Sequence, residues 1–249
     1  MVICMAITPA PALEKGLKIL EIIAKEEQVS FNQLQSLTGY NVSSLNRYLH
    51  TLRHGDYVQK NLDNKYILGL KFFSLAQKNN PWQHLKQIAK QYLVEISETF
   101  GVSLLLIVYT EDQYIVLTKH AHKDNLTMMA IGESYPYARS MVWGMPYVMH
   151  LNASLKEQIM ASYHDDTKMS LHDLQRMEAQ FQQEGIMVDD GYLKKNILRI
   201  GIPLYGGEEK PIAILGAGTF QQHLEGSRSA LICKMIKAVD NIRSQCFKS

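Results

Sequence analysis

Between Val29 and Leu68 the chain carries a run of helix starts, stops and apolar spacings that admits very few folds. Gln33 follows Ser30 by three residues, so hydroxyl and amide can satisfy each other's free helix-start donors in a capping box, with Val29 and Leu34 as the hydrophobic staple. Phe31, Leu34 and Leu37 then define a short helix. Gly39 stops it, because glycine takes the left-handed cap conformation without a Cβ penalty. Asn41 can cap a third helix, in which Val42, Leu45, Leu49 and Leu52 recur at i, i+3, i+7 and i+10 and set the buried stripe. Ser43, Ser44, Asn46, Arg47, His50 and Arg53 then point outward. After Gly55, Tyr57–Gln59 and Lys65–Leu68 read as short strands joined by the turn-rich Asn61-Leu62-Asp63-Asn64. A first helix, about Ala12–Glu26, carries an apolar face of Leu13, Gly16, Leu17, Leu20, Ile23 and Ala24. Helix, short helix, tight turn, polar-faced helix, hairpin: this order predicts a winged helix-turn-helix.

The exposed stripe is made of side chains that bond bases and phosphates, and none is acidic. Asn pairs bidentately with adenine and Arg with guanine in a major groove wide enough for a helix. Asn46, Arg47 and His50 are therefore candidate base readers. Ser43 and Ser44, at the positive end of the helix dipole, suit phosphate, and Lys60 and Lys65 near the hairpin add charge. A solvated helix face is the plainer reading of the same stripe, and the surrounding motif favours DNA. Net charge is only +2, from 26 basic and 24 acidic residues, which excludes a polycation that coats nucleic acid along its whole surface. Positive charge is concentrated up to Asn80, with nine basic residues against six acidic ones.

With 249 residues, 46% of them apolar, the chain is long enough for a second globular unit. Trp82, Leu85, Ala89, Tyr92, Ile96 and Phe100 predict a long amphipathic helix from Pro81 to Phe100, with Pro81 placed to start it. Beyond Gly101, strands are expected at Val102–Tyr109, Tyr114–Thr118 and Thr127–Ile131, then helices at Ser140–Leu151, Leu155–Tyr163 and Leu171–Glu184. Ile186–Val188, Ile197–Tyr205 and Ile212–Ala217 read as further strands, and Arg228–Cys246 as a last helix. Strands around a central helical block imply an α+β sheet covered by helices. Cys4, Cys233 and Cys246 form no paired motif, and Cys233 is expected to be buried. No leader pattern opens the sequence and no run approaches the roughly 20 apolar residues that span a bilayer. A cytoplasmic protein without a membrane partner is expected.

Three stretches together resemble transcriptional regulators of the IclR family: Ala12–Ala24, Gly39-Tyr-Asn-Val-Ser-Ser-Leu-Asn-Arg-Tyr-Leu-His-Thr-Leu52, and Gly55-Asp-Tyr-Val58 leading to Lys65-Tyr-Ile-Leu-Gly-Leu70. They resemble the family's first helix, recognition helix and wing, and a weaker similarity runs to about Arg243. The resemblance implies a winged helix-turn-helix over residues 1–75, a linker helix over 76–101 and a GAF-like effector domain over 102–249. It also implies homodimers, often paired into tetramers, on double-stranded operator DNA. Two-fold pairing sets recognition helices about 34–36 Å apart, or a multiple of that, and so favours an inverted repeat.

The second domain departs from the family pattern. Pro136-Tyr-Ala-Arg-Ser-Met-Val-Trp-Gly144 stands at the family's loop into a helix, with Arg139 and Ser140 in place of small and hydroxyl residues and Trp143 where glycine is common. Gly185-Ile-Met-Val-Asp-Asp190 keeps a family-like strand, Arg199 takes the usual cysteine position, and Gly216-Ala-Gly218 replaces a serine-rich ending. Arg139 and Arg199 can offer guanidinium forks to a carboxylate, with Ser140 donating and Met141 or Trp143 walling off an apolar part. A small organic acid is the expected effector. The competing possibility is that the arginines pair with Asp189 and Asp190 and leave a vestigial sensor, a regulator acting through protein contacts. His120-Ala-His122, set on one strand face, and His164, Asp165, Asp166 and His172 admit metal or acid–base roles, but surface or capping positions suit them better, and no metal or cofactor is expected. No Gly-x-Ser-x-Gly, phosphate-binding glycine loop or H-E-x-x-H occurs, so an enzyme is the least favoured class.

Overall fold

A computed structural model describes residues 9–77, 81–126, 128–167, 170–207, 209–224 and 226–247, except for the side chains of 164–167 and 171. It divides into two compact units, Met1–Asn80 and Pro81–Ser249.

The first unit holds α1 (Pro11–Glu26), α2 (Phe31–Thr38), α3 (Val42–His54), the hairpin of β1 (Val58–Lys60) and β2 (Tyr66–Leu68), and α4 (Lys71–Ala76). The caps form as the sequence dictates. Ser30 and Gln33 close the capping box, Gly39 takes φ 68° at the end of α2, and Asn41 Oδ1 accepts the Ser44 N–H at 2.8 Å. Ile19, Ile23, Val29, Leu34, Leu45, Leu49, Val58 and Tyr66 make the core. Val29 and Tyr66 exchange both backbone hydrogen bonds, at 3.0 and 2.8 Å, and so tie the wing to the segment before α2. The apolar stripes are narrower than their spacing suggested. Leu13, Leu17 and Ala24 of α1, Leu37 of α2 and Val42 of α3 are exposed, and α1 instead buries Ile19 together with Ile23.

The second unit is an α+β layer structure. Its six-stranded antiparallel sheet has the order β5-β4-β3-β8-β7-β6, formed by β3 (Ser103–Tyr109), β4 (Gln113–His120), β5 (Ser134–Pro136), β6 (Met187–Asp190), β7 (Ile197–Tyr205) and β8 (Pro211–Phe220). One face, through Leu104, Leu106, Leu198, Ile200, Ile202 and Leu215, packs with α5 (Pro81–Phe100) and α9 (Arg228–Cys246). The other, through Leu105, Ile107, Tyr114 and Ile214, packs with α6 (Met141–Val148), α7 (Ala153–Thr167) and α8 (Leu171–Glu184). Burial on both faces explains why β3 reads as an unbroken apolar run rather than an alternation.

Three expectations need correction. Thr127 lies outside the described residues, Met128–Ala130 form no strand and Ile131 sits in a turn; the edge strand is Ser134–Pro136 instead. Cys233 is exposed, because α9 turns Leu231, Met235, Ala238 and Ile242 inward. Cys246 is partly buried, which pushes its thiol pKa up, and Cys4 lies outside the described residues. His120 and His122 do not share a strand face. β4 ends at His120, which meets Glu98 at 3.1 Å, whereas His122 Nδ1 accepts the Asp124 N–H.

Gly69 is the most crowded of the described glycines in the first unit: a Cβ there would lie 2.0 Å from the Asp56 carbonyl oxygen. Gly69→Ala should therefore destabilise the N-terminal unit by at least about 2 kcal/mol, read as a lowered denaturation midpoint; an unchanged midpoint would contradict this packing.

Candidate functional site

Leu45 and Leu49, 0% and 2% exposed, fix the rotation of α3. The opposite side must then face solvent, and Ser43, Asn46, Arg47 and His50 are exposed there, with Ser44 half-buried where its amide is capped. A groove of about 510 Å³ runs between α3 and the wing, lined by Asn46, Arg47, His50, Thr51, Arg53 and Tyr66. Lys60 stands beside it, its Nζ donating to Asn64 Oδ1 at 2.7 Å and lying 5.1 Å from the centroid of the Tyr66 ring. Lys65 is half-buried at the hairpin, where its amide donates to Asn61 Oδ1. Arg53 and Tyr66 thus extend the face beyond the residues first chosen. Asn46, His50 and Arg53 stand at i, i+4 and i+7, a spacing that already placed Arg53 in line with them.

The second unit carries a cavity of about 740 Å³ lined by Met129, Ala138, Arg139, Ser140, Trp143, Leu193 and Arg199. Four of the residues chosen from the sequence meet here: Arg139, Ser140, Trp143 and Arg199. Sheet register explains the meeting. Arg199 pairs with Gly218 and Gly201 with Gly216 across β7 and β8, so this face has glycines beside the arginine. A Cβ on Gly216 would come within 2.5 Å of the Trp143 ring, and one on Gly218 would come 3.2 Å from Met128 Sδ. The absence of side chains there lets Trp143 and Met128 pack close against the strands. The segment carrying Met129 is anchored through Ser103, whose Oγ donates to the Leu126 carbonyl and accepts the His122 N–H, and through Asn125, which donates to Gly101 O and Thr219 Oγ1.

Ser140 sits at the N-cap of α6, yet its side chain does not cap the helix. It is 6% exposed and its hydroxyl has no hydrogen-bond partner among the described residues, a condition that costs free energy unless something else bonds to it. Arg139 is exposed and makes no ion pair among the described residues. Trp143 is held from behind, its carbonyl accepting the Tyr109 hydroxyl at 2.6 Å. Burial pushes the Tyr109 phenol well above its ordinary pKa, which keeps it a donor.

The two aspartates behave differently. Asp189, 1% exposed, accepts Arg199 Nη1 at 2.7 Å on Oδ2 and the amides of Tyr192 and Leu193 on Oδ1. Asp190 lies outside the lining and accepts Gln221 Nε2 and Arg228 Nη1, both at 2.8 Å. The hydrogen bond from Arg228 holds its carboxyl below the usual range. Pairing is therefore realised for Arg199 with Asp189 alone. Met141 is fully buried in the core and does not line the cavity. Met129, Ala138 and Leu193 do, and no sequence pattern marked them, since two lie in irregular segments.

His172 is exposed in the first turn of α8; the side chains of His164, Asp165 and Asp166 lie outside the described residues. Among the described residues no group of three or more His, Cys, Asp or Glu is placed to hold a metal, and no helix is long and apolar enough to cross a membrane. Asp189 predicts a graded response. Asp189→Ala should cost about 3 kcal/mol by stranding Arg199 and two amides, whereas Asp189→Asn keeps the Oδ1 acceptor and should cost less; equal losses in denaturant melts would contradict the assignment.

Both parts of the chain match domain families. The IclR helix-turn-helix domain family matches residues 12–62, and the bacterial transcriptional regulator IclR C-terminal family matches residues 81–244. The chain is 22% identical over 226 residues to the HTH-type transcriptional regulator XynR of Escherichia coli (strain K12), covering 88% of this chain and 90% of that one. It is 22% identical over 230 residues to the HTH-type transcriptional regulator KipR of Bacillus subtilis (strain 168), covering 90% and 91%. Its fold is similar to that of an IclR homolog from Microbacterium hydrocarbonoxydans complexed with 4-hydroxybenzoate, with TM-score 0.79, 16% identity, and 96% and 100% of the two chains covered. It is also similar to an IclR transcriptional regulator from Alicyclobacillus acidocaldarius, with TM-score 0.75, 17% identity, and 95% and 98% covered.

Proposed function

The chain belongs to the IclR family of transcriptional regulators, and from that premise we propose that its second domain senses a small organic acid and thereby sets the operator affinity of the first. The observation that carries this reading is one cavity holding Arg139, Arg199 and the buried Ser140 hydroxyl, unbonded among the described residues, against an apolar wall of Trp143, Met129 and Leu193. Two guanidinium groups and a hydroxyl donor suit a carboxylate, and the wall suits an apolar body. The 4-hydroxybenzoate held by the Microbacterium hydrocarbonoxydans homolog is an acid of that chemistry. A vestigial pocket fits less well, because Asp190 is engaged by Arg228 and leaves Arg139 available.

In the first domain, Asn46, Arg47 and His50 read base edges in the major groove, with Ser43, Ser44, Lys60 and Lys65 on phosphates. Two copies of the chain, as a dimer or a dimer of dimers, present two such faces to an inverted repeat of operator DNA in the cytoplasm. The acid acts by binding the DNA-competent and DNA-incompetent arrangements unequally, without which no shift between them follows.

Two predictions separate the two domains. Arg47→Ala should weaken binding to a selected operator by about tenfold or more and relax sequence preference. Lys60→Ala should instead weaken binding to all sequences alike and lower the salt slope by about one unit; gel-shift titrations across salt concentrations read both, and an unchanged Arg47→Ala footprint would contradict the groove assignment. Arg139→Ala should keep operator affinity and lose its response to a panel of aliphatic and aromatic acids. A full response in that variant, or no acid in the panel altering wild-type affinity, would overturn the acid-sensor reading.

A further inference from the structure

We infer that the acid this pocket takes carries one negative charge on a flat apolar body, an inference that rests on reading the cavity as an acid's site. Among the described residues, Arg139 and Arg199 are the cations of the lining, and they are not equivalent. Arg199 is already joined to Asp189, which is 1% exposed and fixed by three hydrogen bonds, from Arg199, Tyr192 and Leu193. Asp189 thus offsets one of the two positive charges, and the lining together with its immediate support carries a net charge of one. A single carboxylate on Arg139 and Ser140 leaves that site neutral. A second carboxylate would have no free cation among the described residues of the lining and would face Trp143, Met129 and Leu193, where an uncompensated charge is expensive.

Among the described residues, neighbouring cations do not supply that partner. Lys119 Nζ is held on the Met128 carbonyl outside the lining, Lys194 and Lys195 are exposed, and Arg228 is occupied by Asp190. Charges in water beyond the mouth are screened.

The flat body follows from the wall. Trp143, Met129 and Leu193 line the cavity beside the two arginines, and the Trp143 ring is held in place by packing directly against Gly216, where no side chain intervenes. A wall that includes an indole and a thioether suits a planar ring, which gains from both aromatic and sulfur contacts.

The test compares 4-nitrobenzoate with terephthalate, two para-substituted rings of nearly equal size and shape that differ by one charge, by calorimetry on the full chain. The wild type should bind 4-nitrobenzoate at least about tenfold more tightly than terephthalate. Asp189→Asn preserves the carbonyl that holds the Tyr192 and Leu193 amides while raising the local charge by one, and should narrow or reverse that preference. Arg139→Gln, a solvent-exposed change that does not depend on the fold tolerating Asp189→Asn, should weaken 4-nitrobenzoate binding by about tenfold or more. Terephthalate bound as tightly as 4-nitrobenzoate by the wild type, or a preference that a folded Asp189→Asn leaves unmoved, overturns the single-charge inference. If the wild type binds neither ring, the flat monoanion is overturned. The acid-sensor reading stands or falls separately, on the mixed-acid panel and its effect on operator affinity.

Discussion

The rotation of α3 about its own axis is the constraint on which the DNA-reading half depends. Burying Leu45 and Leu49 against Ile19, Ile23 and Leu34 admits one phase of the helix, and trimming either leucine would cost about 2–5 kcal/mol. That phase leaves Asn46, Arg47, His50 and Arg53 along one exposed side, beside the wing. Packing and presentation are therefore one fact seen from two sides. The Asn41 cap and the Gly39 turn matter for the same reason: they set where the helix begins and at what angle the chain enters it.

In the second domain the corresponding constraint is strand register. β7 and β8 align Arg199 with Gly218 and Gly201 with Gly216, and a shift by one residue would turn the arginine into the face packed by α5 and α9. Holding Arg199 there requires a partner for its charge, and Asp189, opposite it on β6, provides one. The same carboxylate organises the turn that carries Leu193. A structural ion pair and a cavity wall thus share one residue. The Ser140 hydroxyl is the counterpart on the other rim, a buried polar group left without a bond among the described residues.

Much of this was legible in the sequence because it rests on local chemistry. Caps, helix periods and β-branched runs located α2, α3, α8, β7 and α9 to within a residue or so. The meeting of Arg139, Ser140, Trp143 and Arg199 was legible only through the resemblance to a family, since the first three come from the loop before α6 and the start of that helix, and the fourth from a strand. Other features were not legible. Thr127–Ile131 has strand-like composition, but its surroundings are anchored by side chains of Ser103 and Asn125 instead of a ladder. β5 is three residues long and ends in Pro136, and such an edge strand leaves almost no pattern. Cys233 shows a different limit: an apolar residue within a helix is not thereby buried, and the spacing of Leu231, Met235, Ala238 and Ile242 leaves it off the inward stripe.

The central claim is that the polar side of α3 enters the major groove of a duplex, presented twice. Methylation interference at guanine N7 on a DNA fragment selected by the full chain tests it most directly, because N7 is exposed only in the major groove. The account predicts two interference patches on one face of the duplex, centred a whole number of turns apart and related by two-fold symmetry. Interference at no guanine, with protection confined to the minor groove or to a single half-site, would contradict it.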